Sequence, residues 1–397
     1  NHYVQGKFHL RRFAVLRSSL SVFALATLTA CAGQAAAPEP EADGSIVSAT
    51  GLKLVPVAEG LEFPWGMAAL PNGDLLVTER EGRLRLIQGG DLVEAPLTGL
   101  PDDILVAGQG GLLGILLDPA FATNRKLYLS YSKDMDGANT TAVVSATLAD
   151  DASGLSDVTE IFLGETRETT FHYGSRMAFL PDGSMIVTLG DGYRYMQDAQ
   201  DPALLHGKIA RIMPDGSLPA DNPFANGGGN PAVWSYGHRN VQGLVYHAES
   251  NLLIAHEHGP KGGDELNVIE PGNNYGWPTI TYGINYDGTI ITDETEAPGM
   301  EQPDVKWVPS IAPSGMAIVE TAGFEDWSGD LLIGAMDGPS GQKLVRVDIA
   351  ADGTIGETED LLDDLQTGFR DVISTPDAIY VATNLLDGIV YRVEKAS

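Results

Sequence analysis

Polar residues placed directly ahead of six apolar stretches are the part of this sequence that could do chemistry. They are Trp65, Gln109, His172, Arg239, Ser310 and Arg370. Together they offer an indole, an amide, an imidazole, a hydroxyl and two guanidinium groups. An imidazole changes charge near neutral pH and can accept a proton, and a guanidinium holds anions or developing negative charge. If the fold brings these residues to one place, they can bind and orient a polar ligand.

The apolar stretches belong to a unit that recurs along the chain: an apolar strand, a turn and a second apolar strand. The units are Gly66–Glu79, Gly111–Ser132, Ser175–Asp191, Gln242–Glu257, Ser314–Met336 and Arg370–Thr383. Two of them turn at Asn-Gly or Asp-Gly, which are strong hairpin signals between apolar runs. The repeat predicts an all-β fold, a six-bladed β-propeller of four-stranded antiparallel blades. A jelly roll or two stacked sandwiches is the alternative, but neither has a reason to repeat one motif in this way.

The two ends of the repeat region predict how such a ring closes. The strand near Lys53–Val57 is expected to pair with the last blade at Ile389–Val393. Residues 51–397 would then form one domain that carries the catalytic site. The residues ahead of the first strands would meet around one end of the ring axis.

The first residues of the chain resemble an export signal. Basic residues precede the apolar run Leu20–Ala30, which is shorter than the ~20 residues that a membrane helix needs. The run ends at Thr29-Ala30-Cys31, which resembles a bacterial lipobox. We therefore expect residues 1–31 to be a lipoprotein-type signal peptide and residues 32–50 a disordered tether. The protein would be periplasmic and held to a membrane only by its lipid, with the outer membrane slightly favoured; a plain signal peptide with an incidental cysteine is the alternative.

The charge and the cysteine content exclude several classes of partner. The chain carries 54 acidic and 24 basic residues, a formal net charge of −30. This charge repels nucleic acid and anionic membrane surfaces. Cys31 is the only cysteine, so the chain has neither an internal disulfide nor a C-x-x-C-H haem motif. The sequence does not indicate an oligomeric state.

Several longer motifs together resemble a known family. In chain order they are GQGGLLGILLDPAF, FHYGSRMAF, TLGDG, SYGHRNVQGL, EHGPKGGDELN and GNNYGWP. They look like the soluble sugar dehydrogenases that depend on pyrroloquinoline quinone (PQQ), the glucose/sorbosone and aldose dehydrogenase group, from about Leu52 to Val393. The resemblance implies a six-bladed propeller, in agreement with the repeat. It also implies oxidation of aldose sugars at C1 to the lactone by PQQ and calcium, with electrons passed to an external acceptor.

The resemblance also implies roles for individual residues. His172 would be the general base that accepts the proton of the sugar's anomeric hydroxyl. Asp191 would orient this imidazole, and Arg239 would stabilise negative charge on the quinone. The further positions that match cofactor contacts are Gln109, Asn240, Tyr286, Ser310 and Arg370. The last of these would pair with a carboxylate of PQQ, which carries three.

Calcium sites are implied in the same way. Gly259 and Pro260 match residues whose backbone carbonyls hold the calcium next to the cofactor, and carbonyl oxygens suit this cation. Glu265 and Tyr275 match a second, structural calcium site. The segment His256–His258 also permits a zinc interpretation, because alternate strand residues share a face, but no third ligand is evident.

One departure from the family is present in the fifth repeat. The glucose-oxidising members carry a lysine that contacts the quinone, and the matching place here, Gly334–Gly338, has none. Lys261 or Lys343 is a candidate replacement. We expect either weaker PQQ binding or a cation supplied from elsewhere.

Two other functions compete with the dehydrogenase. The first is a propeller of this family that has lost catalysis and binds glycans or a partner protein, which the missing lysine favours and which His172, Asp191 and Arg239 oppose. The second is a calcium-dependent lactone hydrolase. That chemistry needs acidic and amide side chains around a central calcium, whereas the residues predicted to converge here are richer in Arg, His and Gln.

Overall fold

The computed structural model describes residues 38–336 and 341–396, and its regular structure is almost entirely β. The first strands are β1 (Ile46–Val47), β2 (Leu52–Leu61), β3 (Pro64–Ala69), β4 (Leu75–Glu79), β5 (Arg83–Gln88), β6 (Asp91–Leu92), β7 (Leu112–Leu117), β8 (Lys126–Asp134) and β9 (Asn139–Leu148). They are followed by β10 (Leu155–Leu163), β11 (Met177–Phe179), β12 (Met185–Leu189), β13 (Lys208–Ile212), β14 (Val233–Tyr236), β15 (Val241–His247), β16 (Leu252–Glu257) and β17 (Asp264–Val268). The last are β18 (Val305–Trp307), β19 (Pro313–Ile318), β20 (Leu331–Ala335), β21 (Lys343–Ile349), β22 (Ile355–Leu361), β23 (Phe369–Ser374), β24 (Ile379–Thr383) and β25 (Gly388–Lys395). The helical segments are single turns: α1 (Phe121–Asn124) and the 3₁₀ turns Met196–Gln200, Glu325–Trp327 and Asp363–Leu365.

The strands form six antiparallel sheets, which are the blades of a propeller. Blades one to five are β3–β6, β7–β10, β11–β14, β15–β18 and β19–β22, each in sequence order from the inside outwards. The innermost strands β3, β7, β11, β15, β19 and β23 contact one another in that order, and β23 contacts β3. The contacts therefore close a ring, and the predicted six-bladed β-propeller is confirmed.

Blade six contains both ends of the described chain. Its order is β23-β24-β25-β2, with the short strand β1 on the outside. Lys53 pairs with Glu394 and Leu54 pairs with Val393 in the antiparallel register of β2 and β25. The predicted closure of the ring by an N-terminal strand is therefore confirmed.

The hydrophobic core is divided into clusters that lie between neighbouring blades. One hydrophobic cluster lies at each of the six boundaries between neighbouring blades, including the boundary between blade six and blade one. Both faces of every blade are therefore covered. This explains why the second strands read as continuous apolar runs rather than as alternating ones: Val77, Val187 and Ile333 are each 0% exposed.

The turns between first and second strands follow the sequence signals. Gly73 and Gly183 have φ angles of +88° and +81°, which glycine adopts without steric cost. Their backbone N–H groups donate to the carbonyls of Leu70 and Leu180, at 2.9 and 3.0 Å. The predicted Asn-Gly and Asp-Gly hairpins are confirmed.

The predicted signal peptide, including Cys31, lies outside the described residues, and the proposed domain boundaries stay predictions. Within the expected tether, Ile46–Val47 pairs with β2, and Ser48 Oγ donates to Asp364 Oδ1 at 2.5 Å. Regular structure thus begins before residue 51, because β2 offers a free edge to the preceding segment. Within residues 38–336 and 341–396, no helix has both the length and the hydropathy to cross a membrane.

Candidate active site

A cavity of about 200 Å³ opens at one end of the ring. Five of the six segments ahead of the first strands contribute to its wall, through Trp65, Gln109, Tyr173, Asn240 and Arg370. The sixth does not, because Ser310 Oγ donates to Asp264 Oδ2 at 2.7 Å. The predicted convergence is confirmed for these five segments.

A second group of lining residues was not predicted. Arg80, His258, Met336 and Asn384 each follow directly after the second strand of a blade. In an antiparallel hairpin the second strand ends where the first begins, so these positions must reach the same end of the ring. The signal was therefore present in the repeat pattern.

His172 and Asp191 form a buried pair beside the cavity. His172 Nδ1 lies 2.6 Å from Asp191 Oδ1, and the two residues are 5% and 1% exposed. Asp191 Oδ2 accepts a hydrogen bond from Trp277 Nε1 at 2.9 Å, and Oδ1 accepts one from the Tyr193 backbone N–H at 2.7 Å. The carboxylate is thus fixed on both oxygens. Trp277 was not assigned a role from the sequence, although it lies in the GNNYGWP motif.

The backbone of His172 is held as firmly as its side chain. Its N–H donates to Gln109 Oε1 at 2.8 Å, and its carbonyl accepts from Arg167 Nη1 at 2.7 Å. His172 has φ +53°, a left-handed conformation that these contacts stabilise. A Cβ on Gly190 would lie 2.0 Å from the His172 carbonyl oxygen, so only glycine fits at that position.

The surroundings set the charges of the pair. Burial, and then the positive charge of Arg239, lower the pKa of His172, although Asp191 opposes this. Burial alone would raise the pKa of Asp191, but His172 and Arg239 lower its pKa overall. The stable state is a neutral imidazole beside an ionised carboxylate, with the proton on Nδ1. Nε2 is then a free acceptor, since it makes no hydrogen bond with any described residue.

Arg239 and Asn240 lie next to this pair. Arg239 Nη1 donates to the carbonyls of His258 and Gly259 at 3.0 and 2.8 Å, and its guanidinium lies 5.4 Å from the Trp277 ring centroid. Its buried Nε has no partner in the described part of the chain. Asn240 lines the cavity, and its Oδ1 accepts from the Gly174 N–H at 3.2 Å.

Two guanidinium groups enclose the indole of Trp65. The guanidinium carbons (Cζ) of Arg176 and Arg370 each lie 4.2 Å from the centroid of the Trp65 ring. Arg176 is neutralised by Asp371 at 2.9 Å. Arg370 instead donates to Gln242 Oε1 at 2.9 Å, and its buried Nε has no partner among the residues described. Burial and the neighbouring Arg176 lower the pKa of Arg370, so an anion beside it would be stabilising.

The cavity wall is positive in a strongly acidic protein. Arg80 and Arg370 line it, and none of its described lining residues is an aspartate or glutamate. The orphaned donor of Arg370 points to the same ligand chemistry. The residues therefore fit an anionic ligand, such as a quinone with three carboxylates.

A second, smaller cavity of about 10 Å³ lies behind Arg239, roughly the space of one water molecule. Glu257, Gly259, Glu265 and Tyr275 are among its lining residues. From the described residues the Glu265 carboxylate accepts one long hydrogen bond, at 3.5 Å from Asn267 Nδ2, and burial together with Glu257 raises its pKa. A partly buried, poorly paired carboxylate next to another one fits a hard cation such as calcium.

Backbone oxygens would have to complete such a cation site. In the described ranges, no group of three or more His, Cys, Asp or Glu side chains is arranged for a metal, which also leaves the zinc alternative without support. The carbonyl of Gly259 accepts from Arg239, whereas that of Pro260 has no described donor. The Tyr275 hydroxyl donates to the Val268 carbonyl at 2.8 Å, so any ligand from this residue would be its own carbonyl.

Three other predicted residues lie away from the cavity. Tyr286 is 61% exposed on a surface loop. Lys343 forms a 2.7 Å ion pair with Asp360, and Lys261 is exposed; neither is among the lining residues. Asp337 and Gly338, where the family lysine would be, lie outside the described residues.

Comparison with known proteins agrees with this geometry. The family model described as "Glucose / Sorbosone dehydrogenase" matches residues 61–392. Aldose sugar dehydrogenase YliI of Escherichia coli is 39% identical over 340 residues, covering 84% of this chain and 90% of that protein. The apo-form structure of the soluble aldose sugar dehydrogenase from Escherichia coli is 37% identical, with a TM-score of 0.82 over 87% of this chain and 99% of that one. The PQQ-bound aldose sugar dehydrogenase from Streptomyces coelicolor is 30% identical, with a TM-score of 0.71 over 86% of this chain and 97% of that one.

Proposed function

The chain belongs to the glucose/sorbosone dehydrogenase family, and we propose that it oxidises aldose sugars at C1 to the lactone with PQQ as its cofactor. Membership of this group makes the chain an oxidoreductase of the PQQ-dependent sugar dehydrogenase class. One observation carries the proposal: a positive cavity, whose described lining contains no aspartate or glutamate, lies next to the buried His172–Asp191 pair. A cavity of this charge suits an anionic cofactor, and the pair supplies a base.

His172 is the general base of the proposed reaction. Its Nδ1–H donates to Asp191, so Nε2 accepts the proton of the anomeric hydroxyl as hydride leaves C1. Asp191 keeps the ring in this tautomer and stabilises the imidazolium that forms. The neighbouring rings of Phe171 and Tyr193 are 42% and 49% exposed, and they offer an apolar surface to the sugar's C–H face.

The cofactor contacts come from both groups of lining residues. When bound, PQQ supplies the two-electron acceptor, and calcium polarises its quinone carbonyl. Arg239 has an unused Nε–H with which to stabilise negative charge on an anionic oxygen, and Arg370 has another. Gln109 lines the cavity while it holds the His172 backbone, so it couples cofactor binding to the position of the base.

Calcium binding belongs to the same proposal. Gly259 and Pro260 would contribute carbonyl oxygens next to the cofactor, and Glu265 and Tyr275 would hold a second ion. The support is the poorly paired carboxylate of Glu265. The electrons then pass to an external acceptor, because the sequence contains no haem motif.

A dye-reduction assay tests this function. Protein without residues 1–31 would be reconstituted with PQQ and calcium, and reduction of an artificial acceptor would be followed with a panel of aldoses. We expect PQQ-dependent dye reduction and a lactone product. His172→Ala should lower kcat about 10²–10⁴-fold, the usual worth of a general base, while PQQ still binds.

Other outcomes point to the other candidate functions. Glycan or protein binding with no dye reduction by any aldose would favour a non-catalytic propeller. Lactone hydrolysis without an electron acceptor would favour a hydrolase. A His172→Gln variant as active as the unmodified protein would remove this residue from the mechanism.

A further inference from the structure

Arg80 is a cation of the cavity that the proposed function leaves without a task. It follows the last residue of β4, and its side chain lines the cavity wall. Its guanidinium lies over the Phe63 ring, 4.5 Å from the centroid. In the described ranges its side chain makes neither an ion pair nor a hydrogen bond.

Other arginines of the same blade behave differently. Arg83 bonds to Glu79 at 2.5 Å and to Glu62 at 2.8 Å, and Arg85 lies 3.2 Å from Glu79. Glu62 and Glu79 are therefore paired with arginines that are not among the lining residues of the cavity. Among the described residues, no side chain or backbone group occupies the guanidinium donors of Arg80, so they are available to a ligand.

The aromatic residues at the start of β3 hold two cationic groups at the cavity. Phe63 supports Arg80, and Trp65 supports Arg370. Stacking on an aromatic face fixes the plane of a guanidinium without using its N–H donors. Both groups are thus pre-arranged to donate to carboxylates.

The sequence lacks a lysine near residue 337, and one of the two expected consequences is that another cation supplies the missing charge. Lys343 is committed to Asp360, and Lys261 does not line the cavity. Arg80 lies in the cavity wall and has no ion-pair partner within residues 38–336 and 341–396. We propose that Arg80 binds a carboxylate of the quinone cofactor and supplies the charge that the missing lysine provides in glucose-oxidising relatives. This inference rests on the proposed function.

PQQ binding to the calcium-loaded apoprotein, followed by tryptophan fluorescence, tests the assignment without an activity assay. Arg80→Met removes the charge but keeps an apolar stem over Phe63, and it should weaken PQQ binding about 10–100-fold, as expected for a lost charge-assisted hydrogen bond. Arg80→Lys should fall between Arg80→Met and the unmodified protein. The matched control is Arg392→Met, which removes the same charge from the exposed outer part of blade six and should bind PQQ unchanged.

The trimethyl ester of PQQ separates a carboxylate contact from simple packing. The ester keeps the ring system but has no carboxylate charge, so Arg80→Met should leave its affinity unchanged. The affinity of unmodified protein for PQQ should also fall more steeply with salt than that of Arg80→Met.

The outcomes distinguish this inference from the proposed function. Equal loss of acid and ester binding in Arg80→Met, or no loss of either, would overturn the role of Arg80 while the dehydrogenase stands. If Arg80→Met failed to fold, Arg80→Lys would be measured in its place. PQQ affinity of Arg80→Lys equal to that of the unmodified protein at both low and high salt, or an equal loss of affinity for PQQ and its trimethyl ester, would then overturn the role of Arg80. Unmodified protein that binds no PQQ at all would overturn both proposals.

Discussion

Asp191 is bound from three directions, by the His172 imidazole, the Trp277 indole and the Tyr193 backbone N–H. A carboxylate fixed in this way cannot rotate, so it determines which nitrogen of His172 carries the proton. Burial and Arg239 keep the ring neutral by lowering its pKa. The groups that face His172 and determine its titration are Asp191, Arg239 and Arg167.

These charges predict the pH dependence of the reaction. A lowered pKa favours the neutral base, so kcat/KM should rise with pH through the pKa of His172, and the midpoint of this rise should lie below the usual histidine pKa of about 6.5. Asp191→Asn removes the charge that opposes this lowering, so it should move the acid limb further down and reduce the plateau about 10²–10⁴-fold. Dye reduction measured across pH checks both. An acid limb above about 7 in the unmodified enzyme would contradict the assignment.

Single residues were predictable from the sequence where a motif surrounds them. His172, Asp191 and Arg239 lie in recognisable segments, and the structure brings them together. Trp277 could not be assigned in this way, because its contact with Asp191 depends on a loop of blade four folding back to blade three. Arg80 was not predictable for a different reason: its significance comes from having no partner among the described residues, which no sequence pattern reports.

At the scale of elements, β17 shows how one strand serves two purposes. Asp264 accepts hydrogen bonds from the Gly259 and Ile311 N–H groups, each at 2.8 Å, and from Ser310. Its neighbour Glu265 lies in the small cavity with only the long contact to Asn267. Alternation along the strand thus directs one carboxylate to the backbone and leaves the other for a cation. The sequence predicted Ser310 at the cofactor, but it could not indicate that Asp264 would bind this hydroxyl.

This arrangement predicts that Glu265→Gln preserves or raises the unfolding temperature without calcium but abolishes the stabilisation by calcium. Glu265→Gln replaces a carboxyl group whose ionisation burial and Glu257 disfavour, so the calcium-free protein should unfold at the same temperature or higher. Unmodified protein should gain roughly 2–5 °C in Tm with saturating calcium, and the variant should gain nothing. Calorimetry with and without a chelator checks this, with the exposed Glu320→Gln as the control. An equal calcium shift in Glu265→Gln would contradict the predicted site.

The closure of the ring depends on blade six, where β2 joins the three strands β23, β24 and β25. The other blades are continuous segments, and their strand order followed directly from the repeat. The ring is held together by clusters between blades, such as the one that packs Leu54 against Phe369 and Val393. Because β2 is the one strand of its blade that is distant in sequence from the others, we expect the ring to open by separation of β2 from β25.

A disulfide across this pair tests the importance of the closure. Lys53→Cys and Glu394→Cys replace directly opposed residues of β2 and β25, in a Cys31→Ser background so that no other thiol is present. The oxidised form should gain on the order of 3–5 kcal/mol in unfolding free energy, because the bond closes a very long loop. Reductant should abolish the gain in the same sample. A bond that forms but adds no stability would show that unfolding begins elsewhere.

The same closure has a consequence for synthesis of the chain. Of the strands that form the ring, β2 is synthesised before the five continuous blades and β25 after them. Until β25 exists, β2 and β24 each present an unpaired edge, and such edges invite pairing with other chains. A product that stops before its last strand keeps both edges exposed. The fold therefore makes a finished chain physically different from an unfinished one, in a form that proteases and chaperones can recognise.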